Sequence, residues 1–238
     1  CEPNGQFPHN PEPLKEHLTD ISELVVKEQA DVGIVVDPDV DRLALVCEDG
    51  SMFGEEYTLV ACADYVLGKL GGGNTVSNLS SSRALRDVTE KHGGTYTASA
   101  VGEVNVVIKM KETNTVIGGE GNGGIIYPAS HYGRDSLVGV ALFLSHMATA
   151  NISCKALRES YPSYFMSKNK IQLTPQIDVD NILEIMATKY ANEEVNTIDG
   201  VKIDFESQWV HLRKSNTEPI IRIYTESNSQ LNADELAE

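Results

Sequence analysis

Three aspartates at alternate positions, Asp37, Asp39 and Asp41, follow the apolar β-branched run Val32–Val36, and Arg42 comes next. Alternate side chains at the mouth of a sheet can bring three hard oxygen ligands onto one cation, and such donors favour Mg²⁺ or Ca²⁺ over zinc. Carboxylates this close repel one another unless a cation or an arginine compensates them, which counts against the alternative of a merely solvated acidic loop. Asp37, Asp39, Asp41 and Glu48 also match EF-hand positions 1, 3, 5 and 12. That comparison fails on context: Arg42 stands where the EF-hand needs glycine, and the flanks read as strands.

Two further loops have chemistry in them. Gly118, Gly119, Gly121, Gly123 and Gly124 surround Glu120 and Asn122 directly after a strand-like run. So much glycine permits close approach of a ligand, and the two side chains left, a carboxylate and an amide, suit sugar hydroxyls. Neither a dinucleotide fingerprint nor a Walker Lys-Ser/Thr pair is present. Arg213, Lys214, Ser215, Asn216 and Thr217 form a loop closed by Glu218-Pro219, with Arg222 three residues beyond the proline. Hydroxyls, loop N–H groups and guanidinium forks make an anion cradle. Each hydrogen bond to a charged phosphate contributes about 1.5–3 kcal/mol, so a few suffice to orient a sugar phosphate. The plain alternative is a hairpin with surface arginines.

The elements that must position these loops follow from periodicity. After a proline-rich opening, Leu14, Leu18, Ile21, Leu24 and Val25 recur at helical spacing. Val32–Val36 and Leu43–Cys47 read as buried strands, with Asp49-Gly50 as a turn. A β-α alternation follows: helix 55–70, strand 75–79, helix 82–92, strand 95–99, helix 103–111, strands 115–117 and 125–127, and helix 135–150. Residues 177–195 read as one helix. Three hairpin-like strands, 201–205, 208–213 and 220–226, complete the chain, with Asp199-Gly200 as a turn. Boundaries near 53 and 165 divide it into α/β parts and a last α+β module.

Composition narrows the class of partner. A net charge of -16 over 238 residues disfavours nucleic acid and anionic membrane surfaces, which reward clustered Lys and Arg. The most apolar stretch, 137–150, is too short to cross a bilayer and reads as a buried helix; nor does a secretory signal open the chain. Four scattered cysteines without a Cys-x-x-Cys pair fit small core residues in a reducing cytoplasm rather than a zinc site or disulfide framework.

Taken in order, these segments resemble the α-D-phosphohexomutases, the phosphoglucomutase/phosphomannomutase/phosphoglucosamine mutase family. Asp37-Pro38-Asp39-Val40-Asp41-Arg42 looks like the family's metal loop, usually Asp-Gly-Asp-Gly-Asp-Arg. Gly119-Glu120-Gly121-Asn122-Gly123-Gly124 looks like its sugar loop, usually Gly-Glu-x-Ser-Gly-His, and Arg213 through Pro219 with Arg222 looks like its phosphate loop. The opening Phe7-Pro8-His9-Asn10-Pro11-Glu12 resembles the lead into the family's second domain.

The resemblance implies a fold: mixed-sheet α/β/α domains, then an α+β domain with an antiparallel sheet. Residues 1–53 would finish domain 2, 54–165 would form domain 3 and 166–238 a truncated domain 4. It implies phosphoryl transfer between the 1- and 6-positions of a hexose phosphate through a hexose 1,6-bisphosphate. Mg²⁺ would sit on Asp37, Asp39 and Asp41 with Arg42 as the catalytic arginine, Glu120 and Asn122 on the sugar, and Arg213, Ser215, Asn216, Thr217 and Arg222 on the phosphate. The phosphoserine domain is expected to be missing, which leaves the chain inactive alone; Ala129-Ser130-His131 imitates that loop only superficially. Asn122 and Gly124 depart from the usual Ser and His, Glu103 sits where some glucose and mannose enzymes carry His, and the Asn-Gly-Gly ending resembles phosphoglucosamine mutase-like branches. The competing reading is a non-catalytic sugar-phosphate or Ca²⁺-binding module.

Overall fold

The computed structural model describes residues 4–7, 9–174, 177–215 and 218–238, which divide into two units. The first comprises Cys1–Ala98 and Gly102–Pro162, the second Ser99–Val101 and Ser163–Glu238.

The first unit opens with a 3-10 turn at Lys15–His17 and helix α1 (Thr19–Glu28), then an antiparallel pair, β1 (Val32–Val36) and β2 (Leu43–Cys47). The two strands meet the aspartate loop differently. β2 is buried at every residue, whereas β1 leaves Ile34 39% and Val36 37% exposed. β1 is therefore not the buried strand its composition suggests: β2 is its partner on one side, and alternation turns two of its apolar residues to solvent.

Helix α2 (Glu55–Leu70), β3 (Asn74–Asn78), α3 (Ala84–Lys91), β4 (Tyr96–Ser99), α4 (Glu103–Glu112), β5 (Thr115–Glu120), β6 (Gly124–Ile126) and α5 (Ser136–Ala150) build the rest. The sheet runs β4-β3-β5-β6, with β3 and β5 parallel and β5 and β6 antiparallel. Glu55 and Glu56 favour the positive N-terminus of α2, and Gly71 ends it in the left-handed region at φ 73°. Val76 and Ile126 pack with Val106 and Met110 of α4. Thr75 turns to the opposite face, where its hydroxyl meets that of Thr89 in α3 at 2.6 Å.

α5 also departs from the sequence reading. Only Ser136, Gly139 and Phe143 are buried, and Leu137 is 69% exposed. Its uniform apolarity hides which face is inward; Gly139, whose missing side chain lets Ile125 and Leu43 approach, marks it. Helix α6 (Cys154–Glu159) closes the unit. Cys47, Cys62 and Cys154 are buried free thiols.

The second unit holds β7 (Phe165–Gln172), α7 (Val179–Lys189), β8 (Glu194–Asn196), β9 (Val201–Asp204), β10 (Trp209–Lys214), β11 (Ile220–Ser227) and α8 (Gln230–Leu236). Its five strands form one antiparallel sheet in the order β7-β11-β10-β9-β8. Val201, Ile203, Val210, Leu212 and Ile221 pack on Val179, Leu183 and Met186 of α7. The single helix read over 177–195 is thus corrected: α7 ends at Lys189, and Val195 pairs with Ile203 in the sheet. Among the described residues no helix is long and apolar enough to cross a membrane.

Candidate active site

The aspartate loop is tied around Asp37. Its Oδ1 accepts the backbone N–H groups of Asp41 and Arg42, both at 3.1 Å. Between them Val40 sits at φ 58°, a left-handed conformation costly for a β-branched residue. Asp39 is exposed. Asp41 has one oxygen, Oδ1, buried with no hydrogen-bond partner among the described residues. Burial pushes its carboxyl above the ordinary range, and the adjoining Asp37 carboxyl adds to this against the pull of Arg134 and Arg42. Arg42 reaches Glu12 Oε1 at 3.2 Å and lies 3.8 Å from Asp37 Oδ2.

Among the described residues no three His, Cys, Asp or Glu side chains form a ready metal cage. The structure brings Asp37 and Asp41 together, while Asp39 is exposed. An orphaned carboxylate oxygen facing a second carboxyl nevertheless suits a hard divalent cation. Glu48 serves elsewhere, accepting the Lys155 N–H at 3.0 Å.

Glu120 ends β5 and is 7% exposed. Its Oε1 accepts from Asn78 Nδ2 at 2.9 Å and its Oε2 from Arg134 Nη1 at 3.1 Å. Beyond it, a Cβ on Gly121 would lie 1.8 Å from Glu56 Oε2, so a larger residue there would have to displace the Glu56 carboxylate. Asn122 Oδ1 accepts the Gly124 N–H at 3.2 Å, and Gly123 O accepts the Leu43 N–H at 3.0 Å. The aspartate and glycine loops are therefore joined through β2.

They are joined more strongly by Arg134, a residue the motif reading missed. Its Nη2 lies 2.5 Å from Asp41 Oδ2, its Nη1 pairs with Glu120, and its Nε lies 3.3 Å from Glu103 Oε2. Its backbone N–H also donates to Glu103 Oε1 at 3.2 Å. Asp135, next in the chain, caps α5 by accepting the N–H groups of Leu137 and Val138, and those bonds hold its carboxyl below the ordinary range. The signal in the sequence was an arginine immediately before a helix cap in a region otherwise rich in carboxylates.

In the second unit the Arg213–Arg222 loop joins β10 to β11. Arg213 and Arg222 stand directly opposite each other, and Lys170 of β7 stands opposite Arg222. Like charges opposite one another on a sheet destabilise it unless an anion intervenes. Arg213 Nε is buried with no hydrogen-bond partner among the described residues. Ser215 Oγ accepts the Glu218 N–H at 3.3 Å, and Arg222 Nη2 pairs with Glu218 Oε2 at 3.1 Å. Lys214 alternates to the other face, where its Nζ meets Asp180 at 2.6 Å. The third cation beside Arg213 and Arg222 is thus Lys170, hidden from the sequence because β7 is largely polar. Asn216 and Thr217 lie outside the described residues.

Comparison with known proteins places the chain in a family. The family models for phosphoglucomutase/phosphomannomutase α/β/α domain II, α/β/α domain III and C-terminal domain match residues 1–50, 54–164 and 170–238. A phosphoglucomutase/phosphomannomutase of Thermococcus kodakarensis is 35% identical over 241 residues, covering 100% of this chain and 52% of its own length. A phosphoglucosamine/phosphogalactosamine mutase of Sulfurisphaera tokodaii is 33% identical, over 95% of this chain and 50% of its own. The crystal structure of a phosphoglucomutase/phosphomannomutase family protein from Burkholderia thailandensis superposes with a TM-score of 0.82 at 25% identity, covering 96% of this chain and 49% of that one. The chain belongs to the α-D-phosphohexomutase family, and it spans about half the length of the curated relatives it matches.

Proposed function

We propose that this chain is the metal-, sugar- and phosphate-binding part of a Mg²⁺-dependent phosphohexomutase that moves a phosphoryl group between the 1- and 6-positions of a hexose phosphate. Residues 1–53 are the C-terminal part of its second domain, 54–165 its third and 166–238 a truncated fourth, and the phosphoserine comes from an N-terminal domain, so the chain alone turns nothing over. A cytoplasmic location fits its buried free thiols.

In this reading Asp37 and Asp41, with the exposed Asp39, would hold Mg²⁺, which would supply charge neutralisation at the transferring phosphoryl group. Arg42 adds a second positive charge there, since positioning and electrostatics dominate phosphoryl transfer. Glu120 and Asn122 orient the sugar hydroxyls; each Glu120 oxygen accepts one bond in the structure and retains capacity for another. Arg213, Ser215, Asn216, Thr217 and Arg222 hold the phosphate that is not reacting. The hexose 1,6-bisphosphate then reorients and returns its other phosphoryl group. The Asn122-Gly123-Gly124 ending favours an amino-sugar phosphate.

One observation carries the proposal: a single guanidinium, Arg134, grips Asp41 of the aspartate loop and Glu120 of the glycine loop. Calorimetric titration of the chain, in Mg²⁺, with the 1-phosphates of glucose, mannose and glucosamine tests it. Binding lost in Glu120→Ala and in Arg222→Ala supports the assignment; binding that survives both contradicts it.

A further inference from the structure

Arg134 faces more negative charge than it can neutralise. Glu12, Asp37, Asp41, Glu103 and Glu120 surround two guanidinium groups, Arg42 and Arg134, which leaves an excess of negative charge that a divalent cation would reduce. The two oxygens of Asp41 are unequal: Oδ2 is held by Arg134, and Oδ1 is buried without a hydrogen-bond donor among the described residues. A divalent cation on this carboxylate and a guanidinium 2.5 Å from it are like charges competing for one group. Arg134 has somewhere else to go, because Nε and Nη1 already face Glu103 and Glu120, and its five donors exceed what one carboxylate can use.

We infer that Arg134 and the divalent cation are alternative partners of Asp41, and that Arg134 passes wholly to Glu103 and Glu120 when the cation loads. Arg134 is then a positioning residue that couples cation occupancy to the sugar loop, with its backbone anchored beside the α5 cap. A loop without its cation keeps the guanidinium on Asp41, and the sugar-binding carboxylate is braced fully only after loading. This rests on the proposed reading of Asp41 as a metal ligand.

The test uses this chain and Mn²⁺ alone, with affinity read by electron paramagnetic resonance and folding by thermal melting. Removing the competing charge in Arg134→Gln should tighten Mn²⁺ binding about tenfold, a cost typical of a close charge pair. Arg134→Met, which removes the charge with a long unbranched side chain, should tighten it comparably and decides the matter if the Gln variant does not fold. Affinity unchanged or weakened in a folded variant overturns the inference, as does the absence of Mn²⁺ binding from wild type and both variants. Asp41→Asn separates the two levels: Mn²⁺ binding that survives it contradicts the metal reading itself, whereas binding lost there and untightened in the Arg134 variants contradicts only the exchange.

Discussion

The Leu43 N–H donates to Gly123 O at 3.0 Å, so the first residue of β2 is hydrogen-bonded to the backbone of the glycine loop. Gly123 lies at φ 82°, and a Cβ there would come 2.3 Å from Leu43 O. Both strain and clash fall on backbone that cannot move away without breaking this bond. Gly123→Ala should cost about 2–4 kcal/mol. Calorimetry should show the first unit's transition lowered by about 5–10 °C, with the second unit's unchanged.

Val40 predicts the opposite sign. A valine at φ 58° pays for a conformation that glycine adopts freely, and Val40 is exposed, so little packing is lost with its side chain. Glycine also costs more entropy on folding, which offsets part of the gain. Val40→Gly should therefore leave the first unit as stable as wild type or about 1 kcal/mol more stable by the same calorimetry. A loss above that would show the valine packing on something the static loop does not reveal.

These two positions show what was and was not legible in the sequence. The aspartate, glycine and Arg213–Arg222 clusters could be picked out because each is local in sequence and defined by residue type. The partners across space were not. Arg134 acquires meaning only when folding sets Asp41, Glu103 and Glu120 around it. Strand β1 reads as buried because Ile and Val alone cannot say that one sheet face is bare. Residues 190–196 continue a helical pattern in composition, yet Val195 gains more by pairing with Ile203 than by one further helical turn. β7, with Lys168, Asn169 and Lys170 near its middle, lacks apolar alternation and is held by pairing with β11.

His211 gives the second unit a pH dependence. It is 1% exposed, with Nε2 2.7 Å from Asp199 O, and burial depresses its pKa to about 4 from 6.5. Between those values the unfolded chain binds a proton that the folded chain does not. The stability from keeping His211 neutral is thus complete above about pH 6.5 and is lost as pH falls towards 4. The loss should be about 2–3 kcal/mol. Urea unfolding followed by Trp209, the only tryptophan, should show it, and His211→Asn should flatten the slope in that window.

Sheet alternation separates Arg222 from Lys214. Arg222 faces Arg213 and Lys170 across the strands, while Lys214 is engaged by Asp180 on the other face. Arg222→Ala should weaken hexose 1-phosphate binding by about tenfold or more, the loss of a charged hydrogen bond, and Lys170→Ala by a few-fold at low salt. Lys214→Ala should leave it within about twofold, because its charge is turned away and paired. Equal losses in Arg222→Ala and Lys214→Ala, measured by calorimetry, would place the phosphate elsewhere.

The central claim is tested most directly by phosphorus NMR of the full-length protein with Mg²⁺, a trace of hexose 1,6-bisphosphate and each hexose 1-phosphate in turn. The account predicts conversion of at least one 1-phosphate to its 6-phosphate, abolished by Asp41→Asn and absent from the 238-residue chain alone. No interconversion of any hexose phosphate by the folded full-length protein, or turnover by the purified chain itself, would contradict it.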